Sequence, residues 1–133
     1  MNLIKGENGK MTEKQIAAAI KPLYDWLPIS RLVVLENTCN KGGGSIYTLD
    51  EITPIRQLCL EKGLRLHLDG ARLFNALVET GEQTEAVGKQ FDSISICLSK
   101  GLGAPVGSLL IGEQSFIQEA RRFRKVMVWL ARV

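Results

Sequence analysis

The chain has 133 residues, of which 45% are hydrophobic and 23% charged, so its length and composition fit one globular domain and exclude disordered or collagen-like chains. Its 17 basic and 14 acidic residues give a formal net charge of +3, an excess too small to indicate binding to nucleic acid or to a membrane. The sequence shows neither a long apolar stretch nor a signal-peptide pattern. We therefore expect a soluble, cytoplasmic protein.

A capping box begins the first predicted helix, because Thr12 is followed three residues later by Gln15. Apolar residues at helical spacing continue to about residue 25, and we expect the helix to end at Leu27-Pro28. The next run, Arg31 to Asn37, is apolar and rich in β-branched residues. This pattern predicts a strand buried on both faces, as in a parallel sheet.

The rest of the chain alternates between helical and strand patterns. Thr48 and Glu51 form a second capping box, and Gly63 ends the helix that they begin. Further strands are predicted at 64–68, 93–98 and 106–111, and further helices at 71–78, at 84–90 and from Ser115 onward. The alternation predicts an α/β fold, a mostly parallel sheet with helices on both faces.

The three cysteines, Cys39, Cys59 and Cys97, are widely spaced, and the chain has a single histidine. This spacing provides neither a disulfide framework nor a zinc site. We expect reduced, buried thiols and no bound metal.

Polar segments follow three of the predicted strands. They are Glu36-Asn37-Thr38, Asp69-Gly70-Ala71-Arg72 and Ser99-Lys100-Gly101. Because ligands bind beyond the carboxyl ends of the strands in such sheets, we expect these segments to share one rim and to form a site there.

Asp69 and Lys100 each have a simpler alternative explanation. Asp69 has the position of an N-cap for the next helix, and Lys100 that of a solvated loop lysine. However, the glycine-rich segment that follows Lys100 lets a ligand approach the amine closely and desolvate it, as a lysine nucleophile requires. An aspartate on the same rim is the partner that a pyridinium nitrogen needs.

Three motifs together resemble the low-specificity L-threonine aldolases, within the β-eliminating lyase group of pyridoxal-phosphate enzymes. They are Leu35-Glu-Asn-Thr38, His67-Leu-Asp-Gly-Ala-Arg-Leu-Phe-Asn-Ala76 and Ser95-Ile-Cys-Leu-Ser-Lys-Gly-Leu-Gly-Ala-Pro-Val-Gly-Ser-Leu-Leu110. The resemblance runs from about Lys10 to Lys125. It implies fold type I, the aspartate-aminotransferase architecture, with the chain forming part of the large domain of a homodimer or homotetramer.

The resemblance also implies roles for single residues. Lys100 resembles the lysine that forms a Schiff base with pyridoxal 5′-phosphate, and Asp69 resembles the carboxylate that pairs with the pyridine nitrogen. Arg72 resembles the arginine that holds the substrate carboxylate, and the small Ala71 leaves room for the cofactor ring. Two residues are expected to have supporting roles, Asn37 and Lys125.

The reaction implied by the resemblance is retro-aldol cleavage of L-threonine or L-allo-threonine to glycine and acetaldehyde. The expected partners are an amino-acid substrate and further copies of the chain, with no nucleic acid and no membrane. The reaction needs a general base, and we interpret His67, on the same strand face as Asp69, as a structural histidine rather than that base.

Members of the resembled family are much longer than this chain. We therefore expect residues 1–133 to be a partial large domain from which the N-terminal phosphate-loop region and the C-terminal small domain are absent. The alternatives are an inactive truncated or frameshifted fragment, or another fold type I amino-acid lyase. We expect the apolar end, Val126 to Val133, to be poorly packed, with Trp129 exposed.

Overall fold

The computed structural model describes residues 2–128. Within this range there are four strands: β1 (Leu32–Glu36), β2 (Arg65–Asp69), β3 (Ser93–Cys97) and β4 (Ser108–Gly112). The same range holds five helices: α1 (Glu13–Ala19), α2 (Leu49–Glu61), α3 (Leu73–Thr80), α4 (Thr84–Gly88) and α5 (Gln114–Val128). The residues that follow Val128, with Trp129 among them, lie outside the described part.

The four strands form one sheet in the order β1-β2-β3-β4. The first three are parallel, while β4 runs antiparallel to β3. The helix α2 connects β1 to β2, and α3 and α4 connect β2 to β3. The predicted fold class, a mostly parallel sheet with helices, is confirmed.

Both predicted capping boxes are present. The Gln15 side chain accepts a hydrogen bond from the Thr12 backbone N–H at 2.9 Å, and Glu51 accepts one from the Thr48 backbone N–H at 3.0 Å. These side-chain acceptors satisfy backbone donors that a helix start leaves free. Apart from the end of α1, the predicted elements lie within two residues of the observed ones.

The end predicted for α1 is wrong. The helix stops at Ala19, and Ile20 has an extended backbone with ψ of 126°. Pro22 follows closely, and a proline disfavours helical geometry in the residue before it. Leu23, one of the apolar residues at helical spacing beyond Ala19, is 82% exposed.

The core lies on one face of the sheet. Its centre consists of leucines and isoleucines of the strands packed against α2, namely Leu35, Leu66, Leu68, Ile52 and Ile55, each no more than 1% exposed. Burying each such side chain contributes about 1.5–3 kcal/mol. On the other face of β1, Leu32 and Val34 are 56% and 48% exposed. The prediction that this strand is buried on both faces is therefore wrong within the described residues.

None of the helices in the described part of the chain has the length and apolar character that a membrane span needs.

At the amino end of the sheet, the Asp92 carboxylate joins three segments. It accepts hydrogen bonds from the Arg56 guanidinium of α2 at 2.7 Å, from the Leu66 backbone N–H at 2.7 Å, and from Arg65 at 3.0 Å. Burial disfavours the charged carboxylate, but the hydrogen bonds from Arg56, Leu66 and Arg65 outweigh it and hold the pKa of Asp92 below its usual value. Asp92 thus connects α2, β2 and the start of β3.

We expect Asp92→Ala to lower the free energy of unfolding by about 3 kcal/mol, because it leaves the partly buried Arg56 without its acceptor. Since the pKa of Asp92 is lowered in the folded state, its contribution is fully present above the unfolded-state pKa of about 4 and is lost as the pH falls below it. Urea unfolding between pH 3 and 7 measures both effects.

The matched control is Glu85→Ala. Glu85 also pairs with a basic residue, Lys89, at 2.6 Å, but its side chain is 80% exposed. We expect this substitution to change stability by less than about 0.5 kcal/mol. Equal losses in the two variants would contradict the role given to Asp92.

Candidate active site

The carboxyl ends of β1, β2 and β3 form one continuous rim. The Asn37 backbone N–H donates to the Asp69 carbonyl oxygen at 2.9 Å, and the Gly70 N–H donates to the Ser95 carbonyl at 2.8 Å. These bonds continue the parallel pairing to the ends of the strands. Two of the segments that we expected at one rim therefore begin there, and the third, with Lys100, begins two residues beyond the end of β3.

Asp69 is the last residue of β2, and its carboxylate forms a hydrogen bond with the turn that follows the strand. Its Oδ1 accepts a hydrogen bond from the Ala71 backbone N–H at 3.2 Å. The N-cap of α3 is Arg72, whose side chain makes no capping bond. The explanation of Asp69 as the N-cap of α3 is therefore wrong. Ala71 and Arg72 lie half-buried in the turn directly after Asp69.

Gly70 is required because this turn packs directly against β3. A Cβ at this position would lie 2.9 Å from the Ser95 carbonyl oxygen and 3.2 Å from Leu73 Cβ. Any larger residue would push the turn away from β3 and move Asp69 with it.

Lys100 lies three residues beyond β3, in a loop closed by backbone hydrogen bonds. Leu98 N–H donates to the Gly107 carbonyl at 2.9 Å, and Gly103 N–H donates to the Lys100 carbonyl at 3.0 Å. A Cβ on Gly101 would lie 2.6 Å from Asn75 Oδ1, so the loop rests against α3. Lys100 itself is exposed, and the described residues do not desolvate its amine.

Charged residues near the rim affect the pKa of Cys97, the last residue of β3. A hydrogen bond with Ser99, whose oxygen lies 3.2 Å from the sulfur, lowers the pKa of the thiol most, and the positive charges of Lys100 and Arg72 lower it further. Lys100 and Arg72 therefore both lie near the end of β3. Cys97 is half-buried, contrary to our expectation of a buried thiol, and its spacing from the other cysteines did not predict a place at the site.

Asn37 is buried, and its side chain holds the loop that follows β1. Its Nδ2 donates to the Tyr47 carbonyl at 3.0 Å, and its Oδ1 accepts from the Tyr47 N–H at 3.2 Å. Because the amide pairs with both backbone groups of one residue, it fixes both ends of the loop between 37 and 47.

Lys125 lies far along the chain from the rim residues, in the last turn of α5, and is exposed. The structure brings Asn37, Asp69, Ala71, Arg72 and Lys100 to the rim. The helix α5 packs on β4, and the supporting role of Lys125 stays a prediction.

Cys97 should react first with iodoacetamide, because burial raises the pKa of Cys39, and raises that of Cys59 to about 11. Removing one nearby positive charge, as in Lys100→Ala, should slow alkylation of Cys97 by about two-fold or more. Peptide mapping after timed labelling measures these rates. Lys89→Ala is the control, and an equal slowing in that variant would show that proximity to Lys100 does not matter.

Comparison with known proteins places this geometry in a family. The sequence model of the family described as beta-eliminating lyase matches residues 1–128. The low-specificity L-threonine aldolase of Saccharomyces cerevisiae is 49% identical over 96 residues, which are 72% of this chain and 24% of that protein. Low-specificity L-threonine aldolase 1 of Arabidopsis thaliana is 42% identical over 123 residues, 91% of this chain and 34% of the relative.

A solved structure shows the same fold. The threonine aldolase of Leishmania major matches with a TM-score of 0.79 and 30% identity, covering 90% of this chain and 35% of that one. The chain thus spans only about a quarter to a third of the length of these relatives. Since the family model matches nearly all of its residues, the chain belongs to the beta-eliminating lyase family.

Proposed function

We propose that this chain is the central part of the pyridoxal-phosphate-binding large domain of a threonine aldolase. The reaction is cleavage of L-threonine or L-allo-threonine to glycine and acetaldehyde. The observation that carries the proposal is the rim where Asp69, Arg72 and Lys100 follow neighbouring strands. The relatives named threonine aldolases support it.

The residues at the rim fit pyridoxal 5′-phosphate chemically. The cofactor has a ring nitrogen that is cationic when protonated and an aldehyde, and its substrate has a carboxylate. The rim offers a carboxylate, a primary amine and a guanidinium, and the positive charges of Lys100 and Arg72 both help to lower the pKa of Cys97 at the end of β3. When bound, the cofactor supplies a protonated ring that accepts the electron pair released on bond cleavage.

Each residue at the rim has one proposed task. Asp69, fixed by its bond from Ala71 N–H, accepts a hydrogen bond from the protonated ring nitrogen. Lys100 holds the cofactor through its Nζ, in a loop whose glycines leave the amine accessible. Arg72 binds the substrate carboxylate with its planar guanidinium, and Ala71 leaves space for the ring. Two further residues have supporting roles in this proposal. Asn37 holds the loop that follows β1, and Lys125 is a basic residue of α5.

We infer that the loop holding the cofactor phosphate and the small domain lie in the parts of the relatives that this chain does not match. The large share of each relative outside the match supports this inference. We also propose that the assembled enzyme is a cytoplasmic homo-oligomer, a dimer or a tetramer, as the family resemblance implies.

We expect Lys100→Ala, in the protein that contains this chain, to abolish covalent trapping of pyridoxal 5′-phosphate by borohydride. It should also lower the rate of glycine formation from threonine by about 10³-fold or more, because the group that holds the cofactor is lost. Mass spectrometry of the reduced peptide and a coupled aldehyde assay measure the two effects.

Lys89→Ala removes an exposed lysine that pairs with Glu85 and precedes the amino end of β3, whereas Lys100 follows its carboxyl end. This variant is the control and should leave both readouts unchanged. Trapped cofactor on Lys100 together with ammonia or pyruvate release, and no acetaldehyde, would instead identify another amino-acid lyase. No trapping in the unsubstituted protein would favour an inactive fragment.

We expect Asp69→Ala to impair mainly catalysis and Asn37→Ala to impair mainly stability. Asp69→Ala should lower kcat by about 10²-fold or more with little loss of stability, because it removes the partner of the ring nitrogen. Asn37→Ala should lower stability by about 2 kcal/mol, since it leaves buried Tyr47 backbone groups unpaired, and should keep most of the kcat. Kinetics and thermal unfolding of both variants distinguish the two, and equal losses of kcat would contradict the assignment.

A further inference from the structure

His67 and Asp69 lie two residues apart on one face of β2. Side chains alternate along a strand, and the intervening Leu68 is fully buried on the opposite face, as is Leu66. His67 and Asp69 are half-buried and point to the face that the described residues leave more open. The single histidine of the chain is therefore the inner neighbour of the carboxylate at the rim.

Ser93 fixes the orientation of the His67 ring. The two residues are register partners on β2 and β3, and His67 Nδ1 lies 2.7 Å from Ser93 Oγ. Ser93 is the one hydrogen-bond partner of the ring within the described residues. A ring held through Nδ1 has its other nitrogen, Nε2, available for a second partner.

Asp69 has an acidic neighbour on this face of the sheet. Its register partner on β1 is Glu36, and partners on parallel strands project to the same side, so two carboxylates stand next to each other. Like charges in this arrangement repel. On the other side Asp69 neighbours Ser95, and its one side-chain hydrogen bond in the described part comes from Ala71 N–H.

The charges around His67 single out Asp69. Burial lowers the pKa of His67, and the negative charge of Asp69 acts in the opposite direction. The register partner on β1 is the apolar Val34, and the partner on β3 is the uncharged Ser93. Arg65, the next residue inward on this face of β2, pairs with Asp92. Asp69 is thus the acidic residue whose charge acts on the imidazole.

We propose that His67 is a positioning residue for Asp69: the imidazole, held by Ser93 on the neighbouring strand, flanks the carboxylate and orients it against the repulsion of Glu36. Neutral imidazole presents an N–H toward the carboxylate when Nδ1 accepts the Ser93 hydroxyl proton. The proposal rests on the proposed function in one respect, since Asp69 is there the partner of the cofactor ring. The coupling of the two side chains is a property of this chain itself.

The first test is an NMR titration of the full chain. Its single histidine gives one imidazole Cε1–H signal, so the pKa of His67 is read without assignment of other rings. Asp69→Asn keeps an oxygen for the bond from Ala71 N–H and removes the charge. We expect this substitution to lower the pKa of His67 by about 0.5 or more.

Glu36→Gln is the matched control. It neutralises a carboxylate whose register partner is Asp69, whereas the register partner of His67 on β1 is Val34. We expect it to leave the pKa of His67 within about 0.2 of the unsubstituted value. An unchanged titration in Asp69→Asn, or equal changes in both variants, would overturn the proposal. Asp69→Ser is a second uncharged variant that still accepts the turn bond, should Asp69→Asn unfold.

The second test asks whether positioning matters for the cofactor. His67→Gln keeps an N–H donor, whereas His67→Leu keeps the bulk without a donor. We expect His67→Leu to weaken binding of pyridoxal 5′-phosphate by about ten-fold, and His67→Gln to restore most of it. Equal affinities in the two variants would show that His67 only fills space.

The two proposals fail separately. Failure to trap the cofactor on Lys100 would defeat the proposed function and leave the titration result of His67 intact. A normal trapping result combined with an insensitive His67 titration would defeat the positioning role alone.

Discussion

The parallel pairing of β2 with both β1 and β3 brings three strand ends to one edge, and every feature of the site depends on it. Hydrogen bonds from Asn37 N–H to the Asp69 carbonyl and from Gly70 N–H to the Ser95 carbonyl continue this pairing to the rim. At the other end of the sheet, Asp92 ties α2 to β2. The positions of the rim side chains thus follow from backbone pairing rather than from contacts among themselves.

Two glycines let the loops that carry the proposed chemistry pack closely on neighbouring elements. Gly70 lets the turn after Asp69 pack on β3, and Gly101 lets the lysine loop pack on Asn75 of α3. At Gly70 the close atom is a backbone oxygen of β3, so a Cβ has no room and the turn after Asp69 stays against the sheet. At Gly101 the close atom is the end of the Asn75 side chain, which can move. The result is a carboxylate, a guanidinium and an amine along a single edge, which is the set that the proposed cofactor and amino-acid substrate require.

Local signals in the sequence predicted local structure well. Thr12 and Thr48 begin helices because their capping boxes lie within a single turn and need no distant partner. The end of α1 was mispredicted because the apolar spacing continues past Ala19, while Pro22 is the stronger signal. Burial of β1 was mispredicted because an apolar run does not tell which face another element covers.

The sequence by itself determined the order of the elements and the residue types at each strand end. Asp69 and Lys100 were therefore predicted as site residues from their places at the end of β2 and beyond β3. Only the tertiary structure decided which side chains pair across strands. Three such interactions depend on the register between segments distant in the chain. They are the hydrogen bond between His67 and Ser93, the effect of Lys100 and Arg72 on Cys97, and the hydrogen bond from Asn37 to Tyr47. Register follows from the hydrophobic pattern of whole strands and from the packing of one sheet face, so a single local motif does not give the partner of a residue on another strand.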